Sequence, residues 1–155
     1  MSEQPPPRID ITSHWPTVQR DILRIIDLVP ADKWDWSPKP ELWNFRGILI
    51  HIADARDGWM NRDVKDGDGY PNIWASARTP DDLKRELART WERLNRFLSS
   101  QSQLDATYPG ERDGKVLYMN SGHFIAFHLL EHDIHHRAEL LQRLALLDVD
   151  HGIDF

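Results

Sequence analysis

Four of the chain's eight histidines, His128, His132, His135 and His136, fall within a short stretch near the C-terminus. The segment around them, Phe124 to Leu147, has no proline or glycine, and its leucines recur at three and four residues. That pattern predicts a long helix. At ~100° per residue, His128, His132 and His136 step round by only ~40° each, and His135 falls on the same side. Leu130, Ile134, Leu141 and Leu144 cluster on roughly the opposite side. His132 and His136, at i and i+4, can aim two ring nitrogens at one small volume. Neutral imidazole binds transition metals well, and two ligands one turn apart come at little entropic cost. The plain alternative is that a helical histidine is a solvated or core residue.

A catalytic zinc-type centre takes three protein ligands and an open position. His51 is the best candidate for the third. It interrupts the apolar run GILIHIA on a second predicted helix, where a histidine is either a satisfied core residue or a ligand facing a neighbouring helix. Combined with the pair, it makes a three-histidine site with one ligand from one helix and two from another. Asp54, three residues on, reads as a fourth ligand, an acceptor for a ligand's N–H, a general base, or an ordinary exposed helix acid. Asp54, His128 and His135 are the candidate proton carriers. Trp59, two turns beyond His51, is a candidate pocket wall or a core residue.

The elements that must position these groups follow from the rest of the chain. Its 155 residues predict one domain with a real hydrophobic core. There is no cysteine, so thiolate ligands and cysteine nucleophiles are excluded. The net charge is −6 without long basic runs, which argues against nucleic acid as a partner. No apolar run is long enough to span a membrane, and the proline-rich stretch Met1 to Asp10 has no apolar core of the signal-peptide kind. A cytoplasmic protein acting on a small molecule is expected.

Residues 1–11 are expected to be a tail and 12–155 a single domain. Thr12 or Ser13 is expected to cap a first helix with Pro16 in its first turn, its stripe running from Trp15 through Ile25 to Val29. A loop pinned by Trp34, Trp36 and Trp43 follows. Asn44 caps a second helix reaching about Val64. Residues 65–78 form a connection long enough to cross the molecule or act as a lid. Thr79-Pro80-Asp81-Asp82 opens a third helix with Leu83, Leu87, Trp91, Leu94 and Leu98 inward and the remaining positions solvated. That helix is expected to fray in SSQSQ. Asp113-Gly114 predicts a small hairpin, and Asn120 or Ser121 a cap for the histidine helix. Four amphipathic helices of this kind predict an all-α four-helix bundle.

The Trp/Pro-rich loop, the run Leu49-Ile50-His51-Ile52 and the block His132-Asp133-Ile134-His135-His136-Arg137 together resemble the DinB/YfiT-like superfamily. The resemblance extends from Trp15 to about Asp148. It implies a four-helix bundle in up-down-down-up order and a metal triad at His51, His132 and His136. It also implies nickel or zinc as the metal, transfer of a low-molecular-weight thiol such as bacillithiol or mycothiol, and a homodimer. Ala138 and Glu139 stand where the family commonly has Gly-Gln, and Glu139, three after His136, can orient a ligand. Two readings compete with a metalloenzyme: a metal-binding stress protein without turnover, and a plain bundle with a surface histidine stripe.

Overall fold

The computed structural model describes residues 11–153, with most of the chain in helices. The helix α1 spans Ile11–Leu28 and α2 spans Phe45–Trp59, continued by a π-helical turn at Met60–Val64. The short α3 (Ile73–Ser76) leads to α4 (Pro80–Leu98) and α5 (Gln101–Asp105). The strands β1 (Thr107–Arg112) and β2 (Lys115–Ser121) form a hairpin, and α6 spans Gly122–Leu146. Among the long helices, α1 packs on α4 and α6, and α2 packs on the same two. Their inner faces supply Trp15, Val18, Ile22 and Ile25, then Ile48, Leu49 and Ile52, then Leu83, Leu87 and Leu94, and finally Ile125, Leu129, Leu140 and Leu144. Burying each large apolar side chain stabilises by about 1.5–3 kcal/mol.

Local chemistry sets the ends of these helices. The Asn44 side chain accepts from the Gly47 N–H, and Ser121 accepts from the Phe124 N–H. Thr79 and Asp82 form a reciprocal capping box, with Pro80 as the first helical residue. In the hairpin turn Asp113 and Gly114 both have positive φ, as a two-residue turn between twisted strands requires. The ladder slips between Gly110 and Glu111. A Cβ on Gly110 would lie 2.0 Å from the Tyr118 ring, so a larger residue there would displace that ring.

Several sequence expectations need correction. The first helix is already running at Ile11, so Thr12 and Ser13 lie inside it, and the rest of the expected tail lies outside the described residues. Pro16 therefore sits beyond the first turn, at the cost of one helical hydrogen bond. The 65–78 connection contains α3, capped by Asn72, and SSQSQ contributes to α5 instead of fraying. Trp34 is buried and Trp36 packs on the core, but Trp43 is 46% exposed and does not pin the loop to it.

The outer positions of α4 are not all solvated. Thr90 and Arg93 are buried, and Arg93 donates to Asp57, Asp66 and the Gly69 carbonyl. Arg89 also pairs with Asp57. These bonds tie the 65–78 connection back onto α2 and α4. In α6 the inward face carries Asp133 and Arg137 beside its leucines. Arg137 bonds Asp21 of α1 at 2.8 Å, so it anchors a neighbouring helix as its place on the helical wheel implies.

The most enclosed ion pair joins α2 to α6. Arg56 meets Asp133 at 2.8 Å with both side chains fully buried, and the Trp15 indole N–H donates to the same carboxylate oxygen at 3.0 Å. Removing one partner of a buried pair leaves an uncompensated charge. Arg56→Ala should therefore cost about 3–5 kcal/mol in urea unfolding. Lys84→Ala, which removes an exposed pair with Asp27, should cost no more than about 1 kcal/mol.

A candidate three-histidine metal centre

The inner face of α2 brings His51 against the α6 pair. His51 Nε2 and His132 Nε2 are 2.9 Å apart, and one ligand atom from each of His51, His132 and His136 lies within 4.8 Å of the others. The three ring centroids are 4.4–4.9 Å apart. Helical spacing explains the α6 pair, and the packing of α2 on α6 supplies the third ring.

Electrostatics favour the neutral, ligating form of His51 and His136. Burial first, and the neighbouring His132 and His136 next, push the His51 imidazole down to about 4. Burial also lowers His136, against the opposing hydrogen bond that it donates to Glu139. The Glu139 carboxylate lies 2.7 Å from His136 Nδ1. A proton held there leaves Nε2 free as a ligand, the usual carboxylate–histidine arrangement of metal sites. Tetrahedral bonds of about 2.0–2.1 Å separate ligand nitrogens by roughly 3.3–3.4 Å. The three rings reach that spacing by small side-chain shifts, so the residues present fit a divalent metal.

One side of the triad opens into a cleft of about 280 Å³, lined by His51, His132, Asp54, Trp59, Tyr70 and His128 among others. On another side Trp43 packs edge-on to His51 at 4.4 Å and stacks near His136. A larger cavity of about 510 Å³ lies elsewhere, beside Trp74. Its charged groups are Asp35, Arg46 and Arg78, and Asp35 and Arg46 are already paired at 3.1 Å. The histidine pair His51 and His132 borders the smaller cleft.

The expected proton carriers separate. Asp54 is in the cleft, where it accepts from the Tyr70 hydroxyl at 2.9 Å. Burial first, then that bond to Asp54, raises the Tyr70 pKa. His128 is in the cleft with its ring 4.9 Å from that of Trp59, so Trp59 does line the pocket. His135 is 68% exposed, approaches Glu139 at 3.9 Å and borders a different cavity with His151. His135, His136 and Glu139 also form a tight cluster, but the bond from His136 Nδ1 engages Glu139 within it.

Sequence reasoning missed Tyr70, Trp43, Arg56 and the placement of Asp133. Tyr70 lies in an aperiodic connection, where no spacing points at the site. Trp43 immediately precedes the cap of α2, a position that sets it beside His51 one helical entry later. Asp133 stands inside the histidine block, directly after His132, which was the available signal.

The DinB superfamily profile matches residues 14–140, and the chain belongs to that superfamily. Among proteins of curated function, none matches the chain. A crystal structure from Exiguobacterium sibiricum 255-15, described as that of a provisional member of the DinB family, superposes with a TM-score of 0.70 at 18% identity. The match covers 93% of this chain and 92% of that one, and it shows the shared fold.

The His51 shift has a consequence for the metal-free protein. Between the ordinary value of 6.5 and about 4, the unfolded imidazole binds more protons than the folded one. Stability therefore rises with pH across that window. The contribution is fully present above 6.5 and is lost as pH falls towards about 4. Thermal melts in chelator at stepped pH should show this decline, and His51→Gln should flatten it. An unchanged slope in the variant would contradict the burial of a neutral His51.

Proposed function

We propose that this protein is a metal-dependent enzyme in which His51, His132 and His136 hold one divalent ion, zinc or nickel. The observation that carries this reading is the convergence of three imidazoles beside an open cleft. A structural metal site is usually closed by four protein ligands, whereas a catalytic one keeps a position free. The metal-staple reading lacks support from the cleft, although the triad does link α2 to α6.

Bound by these three residues, a metal would lower the pKa of a thiol or water. The cleft would receive a small electrophile, and the reaction class is thiol transfer or hydrolysis. Trp59 and His128 supply aromatic walls, and Tyr70 closes one edge through its bond to Asp54. Asp54 and His128 take and return protons at the carboxylate oxygens and the imidazole nitrogens that face the cleft. The Tyr70 hydroxyl gives its one proton to Asp54, so it orients that carboxylate.

The partners in this reading are a low-molecular-weight thiol, a small electrophilic substrate and a second copy of the chain, in a cytoplasmic setting. No helix among the described residues is long and apolar enough to cross a membrane. The up-down-down-up order belongs to the same reading. It is supported by the long 65–78 connection and by the packing of both α1 and α2 on α4 and α6.

Reconstitution of untagged protein with zinc or nickel should give one ion per chain by elemental analysis. His51→Ala, His132→Ala and His136→Ala should each abolish tight binding. His135→Ala should cost at most the ~10–100-fold of an outer partner. The loaded protein should consume thiol in a transfer screen with small electrophiles. Absence of metal after reconstitution would overturn the proposal, and loaded protein without exchangeable water on its metal would favour the staple.

A further inference from the structure

Two buried polar atoms beside the triad have no hydrogen-bond partner among the described residues. They are Nδ1 of His132 and Oδ1 of Asp133, and they lie 3.7 Å apart. Leaving both unpaired is costly, because neither can turn to water. The other carboxylate oxygen, Oδ2, takes three donors: Trp15 Nε1 at 3.0 Å, Arg56 Nε at 3.1 Å and Arg56 Nη2 at 2.8 Å. Those bonds clamp the carboxylate so that Oδ1 is left for the imidazole. Nε2 of the same ring faces His51. A shortening of roughly 0.5–1 Å brings Nδ1 and Oδ1 to hydrogen-bond distance.

We propose that Asp133 is the positioning residue for His132: it holds the proton on Nδ1, fixes the ring's orientation and so presents Nε2 to the metal. Arg56 and Trp15 hold Asp133 in turn. The inference rests on the metal reading above and adds a role for a residue outside the three-histidine group. It gives two of the three ligands a carboxylate partner, Glu139 for His136 and Asp133 for His132. The two differ in kind. Glu139 is partly exposed on the rim, whereas Asp133 is completely enclosed and cannot exchange its partners with solvent.

Trp15 and Arg56 can only donate. In Asp133→Asn they therefore hold the amide oxygen, which turns the amide NH₂ towards His132 Nδ1. That nitrogen must then supply a lone pair, and the ring proton moves to Nε2, the atom required for the metal. Zinc affinity of Asp133→Asn, measured by competition with a chromophoric chelator, should fall by ~10–100-fold or more.

Asp57→Asn, on the same helix as His51, is the control, because it breaks a buried pair with Arg93 of α4 without touching the triad. It should lower stability and leave zinc affinity unchanged. If Asp133→Asn does not fold, the wild-type protein decides through ¹⁵N–¹H spectra of the zinc-loaded form. A slowly exchanging, downfield His132 Nδ1–H supports the proposal. An Nδ1–H that exchanges as fast as that of an exposed imidazole overturns it. Folded Asp133→Asn with wild-type zinc affinity also overturns it and leaves the metal reading standing. Wild-type protein that binds no zinc or nickel removes the metal reading and this inference together.

Discussion

The carboxylate of Asp133 meets the guanidinium of Arg56 in a place that water does not reach. Taking both charges out of solvent is expensive, and only complete pairing compensates. Burial pushes the Asp133 pKa up, but Arg56, His132 and Trp15 together outweigh it and keep the carboxyl below its usual value. Arg56 also donates to the Leu87 carbonyl, and Gln19 donates to the same oxygen. One ion pair thus engages α1, α2, α4 and α6. Apolar faces can slide against one another at modest cost, whereas a buried ion pair of fixed geometry cannot.

That constraint bears directly on the candidate site. Arg56 follows His51 by little more than a turn on α2, and Asp133 follows His132 by one residue on α6. The register that joins the first charge to the second also joins the first imidazole to the second, at 2.9 Å. The triad sits at the edge of the core, buried enough to lower the proton affinity of His51 and His136 and open on one side to a cleft. Low proton affinity at His51 removes a competitor for the metal. The cleft is built mostly from α2, its π-helical continuation and the 65–78 connection. Arg93 fastens that connection by bonds to Asp66 and the Gly69 carbonyl.

Much of this was legible in the sequence because it depends on local rules. The histidine helix follows from its 3.6-residue period, the start of α4 from Thr79-Pro80-Asp81-Asp82, and the hairpin from Asp113-Gly114. His51 was visible as a polar break in an apolar run. What escaped the sequence depends on tertiary context. α3 and α5 are too short to show a period. Arg56, Arg93 and Asp133 are charged residues, and a sequence places such residues in solvent unless their partners, distant along the chain, are known. Trp43 and Tyr70 flank the site from loops whose course nothing local dictates.

The central claim is that three imidazoles from two helices converge on one ion. X-ray absorption at the zinc edge of the reconstituted protein tests it most directly. The first shell should contain three imidazole nitrogens at about 2.0–2.1 Å, with the multiple-scattering signature of the rings. One or more light oxygen or nitrogen ligands at similar distance should complete the shell. A shell with one imidazole or none would contradict it, because the histidines would then be neighbours in the fold without being ligands.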